Sequence, residues 1–446
     1  MEITLTNNQS PYSSAWLKLG VFSLIAAGLF SLLLVLSRIP GAQVIIPWID
    51  FFHTALVVHV NLSVLFWFMT FTSLFWSLYA GTRFLILEKI ALTSCVAGTL
   101  LLVVAPFLGA GKPLINNYIP VLQHPLFFWS LGIFTFGVLL QCIRVLLVLP
   151  SSENGVSSLA PYMAAIFSFL SLVALYVSWL NIPVDIDPTV YFEYLFWGSG
   201  HILQFSHTTL LLFSWLVLLS YIGSKVIVSQ SALYWSMAIL MLPLIYALYI
   251  YSAYDIFSPE HITAFTDFMK YGGLASLPLG LVVLVSFIGS NVSSSDDIKA
   301  AKAALIASFI LFAAGGIIGF MIHGVNVVIP AHYHGSIVGV TLAFMGIAYY
   351  LLPLLGYRKP VWRSARLQPY VYGGGQLMHI LGLAWSGGYG VKRKTAGAAQ
   401  GLDSLPEVIG MGMMGLGGLI SIIGGIMFLV VMLKSMWPEA SKAASS

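Results

Sequence analysis

Ten histidines are spread along the 446 residues of the chain. His59, His201, His332 and His334 fall within or at the ends of long apolar runs, as does Asp255. A polar or ionisable side chain inside an apolar span is costly to bury and marks function by default. Neutral imidazole is the usual ligand for iron, copper and zinc. His332 and His334 are two apart, about 200° around a helix axis, so their rings point to opposite sides and suit two metals flanking one helix. The two cysteines, Cys95 and Cys142, lie in apolar runs and form no CxxC or CxxCH motif. With too little Cys for clusters and 29 Phe, 21 Tyr and 12 Trp, the chain favours haem. The simplest arrangement is two haems on either side of the His332–His334 helix. His59 is then the second axial ligand of one, and His201 faces the other.

The elements that must position these residues are set by composition. Hydrophobic residues make up 59% of the chain and charged residues only 8%, where soluble proteins carry about a quarter charged. A soluble globular enzyme, a nucleic-acid binder and a disordered protein are excluded. So is an outer-membrane barrel, whose strands alternate apolar and polar, because the apolar runs are continuous. The fold class is an all-α polytopic membrane protein with about twelve transmembrane helices. Its spans run near 15–37, 53–80, 85–109, 125–149, 159–181, 190–223, 233–255, 264–290, 302–326, 330–356, 371–389 and 409–433. No soluble domain, separating linker or repeat stands out, so residues 1–446 read as one integral membrane unit. Met1–Pro11 lacks the basic flank and cleavage site of a secretory signal.

Lys and Arg in short loops orient the spans. With both termini inside, the inner side holds most of the basic residues, among them Lys18, Arg83, Arg144, Lys225, Arg358, Arg363, Arg366 and Lys434. The outer side holds Arg38, Lys112 and the cluster Lys392, Arg393 and Lys394. That cluster is an exception to the rule and calls for a local anionic partner. In this N-in, C-in arrangement His59, His201, Asp255, His332 and His334 come from separate helices, the last two sharing one, and all lie in the outer half of the bilayer.

Other features have plainer readings. His53, His124 and His207 are read as helix–helix hydrogen-bonders. The glycine patches Gly315-Gly316, Gly373–Gly375 and Gly415–Gly418 are read as close helix packing, the Met411, Met413, Met414 cluster as packing filler, and the Asn291-Val-Ser sequon as noise.

Taken together, twelve spans with a His early in the second, Gly-His in the sixth, a polar pair ending the seventh and His-x-His opening the tenth resemble the catalytic subunit of the haem-copper oxidase and nitric-oxide reductase superfamily. The resemblance covers essentially the whole chain. It is most specific at Ala331-His332-Tyr333-His334, Trp197-Gly-Ser-Gly-His201, and His379-Ile-Leu-Gly-Leu followed by Lys392-Arg393. The segment from His59 through Asn61 to Trp67 looks most like the nitric-oxide reductase version of the second helix. The resemblance implies that His59 and His334 are the axial pair of a low-spin haem, b-type by expectation. It makes His332 the proximal ligand of a high-spin haem, and His201 a ligand of a non-haem metal, iron in the reductases and copper in the oxidases. Lys392 and Arg393 stand where the family holds haem propionates, which supplies the anionic partner. His379 and His323 fall on the same propionate side.

Two departures narrow the function. The family ends its seventh span with His-His, whereas this chain has Tyr254-Asp255 followed by Glu260-His261. A metal held by His201 and Asp255, with His261 or water, suits iron better than copper; a chain with no non-haem metal is the alternative. Many oxidases also carry a Tyr one turn after the sixth-span His, where this chain has Phe205, and typical NO reductases carry a Glu there. Reducing O2 in one encounter takes four electrons, whereas coupling two NO takes two electrons and two protons, so loss of that phenol harms an oxidase more. Tyr249 or Tyr251 of the seventh span could substitute for it. The expectation is a divergent nitric-oxide reductase in a bacterial or archaeal cytoplasmic membrane. Its electrons come from quinol or a cytochrome c-type partner, and protons enter from the outer side near Glu193, Glu260 or Asp267. The alternatives are a terminal oxygen reductase with copper, and a non-catalytic haem relay subunit.

Overall fold

Long apolar runs must satisfy their own backbone in a bilayer, and helices do so residue by residue. The computed structural model describes residues 9–36, 48, 50–109, 111–151, 155–290, 295–393 and 402–437. Among these, twelve helical elements follow in order: α1 Ser13–Leu36, α2 Phe51–Ala80, α3 Leu85–Val104, α4 Pro125–Leu146, α5 Val156–Asn181, α6 Pro188–Tyr221, α7 Gln230–Ala253, α8 Pro259–Ile288, α9 Lys299–Phe320, α10 Val328–Leu354, α11 Arg363–Gly388 and α12 Leu405–Met436. Eleven of them are long and apolar enough to cross a membrane. The exception is α11, where Arg363, Arg366, Gln368, Gln376 and His379 dilute the apolar run. Asn291 and Lys394 lie outside the described residues.

Helix starts carry their own signals. Asp50 accepts the His53 N–H ahead of α2, Ser229 caps α7, Ser258 caps α8, and Ser404 with Glu407 forms a reciprocal capping box at α12. Two helices are irregular. The middle of α2, Asn61–Phe66, is a π turn, and α8 is interrupted by a 3-10 turn at Gly273–Ser276. A two-stranded antiparallel hairpin, β1 Pro113–Leu114 with β2 Val121–Leu122, joins α3 to α4.

The contacts gather into two units. The first runs to Phe213 and takes in Val226–Ile288; the second comprises Ser214–Lys225 and the chain from Gly289 onward. The first unit contains a fully buried ion pair, Arg144–Glu88 at 2.9 Å, which also gathers the carbonyls of Gly81 and Arg83 and the side chains of Ser10 and Trp16. A buried pair holds only when further hydrogen bonds replace lost water, and here they fasten the α2–α3 turn. In the second unit helices meet at glycines. A Cβ on Gly315 would stand 2.5 Å from the Ser336 nitrogen, and one on Gly375 2.7 Å from that of Ser421. These patches are close helix packing, as their sequence indicates.

Candidate functional site

Four of the histidines in the two units are held in the same way. His59 Nδ1 lies 2.8 Å from the Ala27 carbonyl, His201 Nδ1 2.7 Å from that of Trp197, His332 Nδ1 2.7 Å from that of Gly315, and His379 Nδ1 2.8 Å from that of Met414. A carbonyl only accepts, so the hydrogen sits on Nδ1 and each neutral ring keeps its lone pair on Nε2. That is the arrangement by which proteins orient metal-binding imidazoles. Three others differ. His53 pairs with Asp50 at 2.6 Å, His124 accepts the Leu126 N–H at the start of α4, and the Nε2 of His207 lies 3.4 Å from the Met69 sulfur. These three serve caps and helix contacts.

In the first unit, His201 is buried on α6 among aromatic rings: Trp197 at 4.8 Å, Tyr118 at 5.0 Å and Phe265 at 5.6 Å between centroids. Trp197 also ties α6 to α8, its indole N–H donating to the Ile262 carbonyl at 3.1 Å. Beside that carbonyl stands His261, which is 0% exposed and has both ring nitrogens without a hydrogen-bond partner. Its ring lies 5.0 Å from Phe265 and 5.1 Å from Tyr251, so Phe265 touches both histidines. A fully buried imidazole with neither nitrogen satisfied costs free energy unless a ligand completes it. Asp255 is exposed and its Oδ1 accepts the Phe257 N–H at 2.8 Å, while its carbonyl accepts from Ser258. It shapes the α7–α8 turn, near enough to His261 to act on it electrostatically.

Phe205, one turn beyond His201, is sealed between Phe167 at 5.7 Å and Phe268 at 4.9 Å. Of the two α7 tyrosines, Tyr249 is 54% exposed. Tyr251 points inward, its hydroxyl 3.0 Å from that of Ser178. Glu260 and Asp267 are exposed, and Glu193 is half-buried.

In the second unit, α10 carries His332 and His334 to different neighbours, as their spacing requires. His332 lies against α9, where a Cβ on Gly319 would meet its ring at 2.7 Å. His334 lies 4.9 Å from His379 of α11. The Val327 N–H donates to the Val391 carbonyl at 3.0 Å, which ties the Lys392-Arg393 pair to the start of α10. Lys392 is exposed, and Arg393 is half-buried and acts electrostatically on Tyr333. His323 is exposed in the α9–α10 turn, its carbonyl accepting from Asn326 at 3.0 Å. Among the described residues no group of three His, Cys, Asp or Glu forms a metal cluster.

Sequence reasoning missed three residues of the His201 neighbourhood: Tyr118, Gln204 and the role of Asn61. The signal for the first was available. Gly198 and Gly200 flank Ser199 just before His201, and a Cβ on either would collide with a ring, that of Phe265 at 3.0 Å and that of Tyr118.

A twelve-helix frame with carbonyl-oriented histidines at these positions defines a haem-copper-oxidase type of membrane protein. The chain matches the family described as cytochrome c and quinol oxidase polypeptide I over residues 13–427, and it belongs to that family. It is therefore a multi-pass membrane oxidoreductase subunit of a family built around haem groups and a metal centre. The chain is similar to an uncharacterized protein of Rickettsia prowazekii (strain Madrid E), 32% identical over 98% of each chain. It is also similar to an uncharacterized protein of Aquifex aeolicus (strain VF5), 26% identical over 80% of this chain and 88% of the other.

Proposed function

We propose that this chain is the catalytic subunit of a nitric-oxide reductase in a bacterial or archaeal cytoplasmic membrane. It joins two NO with two electrons and two protons to give one N2O and one water. The observation that carries this reading is Phe205: a side chain with no hydroxyl, sealed by Phe167 and Phe268, where many oxygen reductases carry a phenol. His59 and His334 ligate a low-spin haem, His332 a high-spin haem, and His201 with His261 a non-haem iron. Three of these residues fit such groups because their Nδ1 hydrogens are tied to carbonyls, and His261 because both its nitrogens lack partners. When bound, the metals supply electrons and polarise the gas. The protein's part is to orient the imidazoles, exclude water with the Trp197, Phe205, Phe265 and Phe268 rings, and present Lys392 and Arg393 to haem propionates beside His379 and His323. Electrons come from quinol or a cytochrome c-type partner.

A second reading rests on a specific observation. Tyr251 stands 5.1 Å from His261 and offers the phenol that Phe205 lacks, which favours a terminal oxygen reductase with copper. Metal analysis and gas consumption of the His261→Ala and Asp255→Ala proteins test the assignment. His261→Ala is expected to lose the non-haem metal and NO consumption together, and Asp255→Ala to keep its metal. Copper with O2 consumption in the unmutated protein would overturn the reductase reading in favour of the oxidase.

A further inference from the structure

Two breaks in helix regularity face each other across the α7–α8 pair of the first unit. Pro243 stands inside α7 and has no N–H to give the Ile239 carbonyl. Opposite it, α8 changes to a 3-10 turn at Gly273–Ser276. The helices touch at Gly272, where an added Cβ would stand 3.1 Å from Pro243. Around this point they leave a groove of about 630 Å³, inside the range of ~300–1,000 Å³ typical of ligand clefts.

The groove is graded in polarity. Nearest the α7–α8 turn it is lined by Tyr246 and Asp267, then by Tyr271, and furthest from the turn by Ile239, Leu242 and Leu274. One helix rises to that turn and the other descends from it, so both set their polar lining at the same level. The level matters in a bilayer. The 30 residues of α8 measure ~45 Å, against a hydrocarbon core of ~30 Å. Because Leu277–Ile288 carries no charge, the excess falls at the Pro259–Gly272 end, and Asp267 lies ~12 Å along it. Its carboxylate therefore stands where headgroups meet chains. Lys270 follows one turn later, also exposed, its amine 5.7 Å from the Tyr271 ring at the rim.

We propose that the α7–α8 groove binds one phosphoethanolamine-headed lipid. Its ammonium donates to the Asp267 carboxylate, its phosphodiester accepts from the Lys270 amine, and an acyl chain lies along Ile239, Leu242 and Leu274. Charges at this depth call for counter-charges, and a zwitterion answers both at once. An anionic headgroup would meet Asp267 with its own sign, and a choline head carries no N–H to donate. The floor of the groove is the buried Phe268, whose ring packs on Phe205 at 4.9 Å. The bound chain thus backs the aromatic wall near His201, whatever reaction takes place there.

The test strips full-length protein of lipid in mild detergent and titrates it with dioleoyl phosphatidylethanolamine, phosphatidylcholine or phosphatidylglycerol, counting bound lipid by native mass spectrometry. One phosphatidylethanolamine per chain is expected, with the other two held about tenfold less tightly, the cost of one hydrogen bond to a charged group. Asp267→Asn, an exposed position, should bind phosphatidylethanolamine about tenfold less tightly and no longer separate it from phosphatidylcholine. Ala275→Phe, which fills the chain end of the groove, should weaken all three lipids alike. Equal retention of the three by the unmutated protein, or unchanged selectivity in Asp267→Asn, would overturn the proposal. So would displacement of the lipid by decylubiquinol, which would put a hydroquinone in the groove instead.

Discussion

His201 of the first unit is positioned by other means than His332 and His379 of the second. In the second unit, His332 and His379 are set by helix against helix: Gly319 leaves room for the His332 ring, and Gly417 lets α12 reach the backbone of His379. In the first unit, His201 is set within α6, and the space beside it is filled by the α3–α4 hairpin, clamped through Asn116, Glu193 and Asn61. Helix-on-helix contact at glycine has no slack, because backbone faces backbone at van der Waals distance. The His332 and His379 rings are thus fixed by glycine contacts between helices, while the His201 ring is backed by the hairpin.

That contrast is broken most severely at the two glycines. Gly319→Ala puts a methyl 2.7 Å from the His332 ring, turning it off the Gly315 carbonyl. Loss of such an orienting partner costs about 10–100-fold in affinity for the bound group, so haem content should fall by spectrophotometric assay. Gly200→Ala meets the Tyr118 ring instead. It should lift the hairpin, retain haem and lose rate; equal haem loss in the two variants would erase the distinction.

A smaller effect is expected at Asn61. Its amide bonds the Pro120 and Val57 carbonyls at 2.7 and 2.9 Å, and each such bond contributes about 0.5–1.5 kcal/mol. Asn61→Ala should lower thermal stability in detergent by about 1–2 kcal/mol, with cleavage by a soluble protease appearing first near Pro120. Uniform destabilisation without hairpin cleavage would argue against the clamp.

The smallest effect concerns Asp296, exposed at the start of α9, whose carboxyl Lys299 and Arg366 hold below its usual pKa. A depressed carboxylate stabilises the fold above its unfolded pKa and loses that contribution as pH falls through its folded value. Asp296→Asn should melt slightly earlier than wild type at neutral pH, and the two should converge in acid; a gap that widens in acid would reverse the sign.

Much of this architecture was legible in the sequence. Continuous apolar runs gave the helices, because a bilayer allows the backbone no other partner, and the two-residue spacing of His332 and His334 foretold their divergent neighbours. The hairpin was not legible. Residues 111–124 have no periodicity, and the hydrogen bonds from Asn61 and Glu193 span 59 and 76 residues. A second role of Asp255 was hidden for a related reason. A carboxylate at a span end reads as a ligand, yet a short Asp-x-Phe-Ser-Pro turn uses that same carboxylate to close itself. His261 was a candidate beside Asp255 in the sequence, and its burial with both nitrogens unpaired adds what spacing could not show.

The central claim is tested most directly by a haem and metal count on the purified full-length chain, combined with an anaerobic assay of NO consumption and N2O release. The account predicts two haems and one iron beyond them, with one N2O formed for every two NO consumed. Two haems with no further metal and no gas turnover would contradict it, leaving a subunit that only relays electrons.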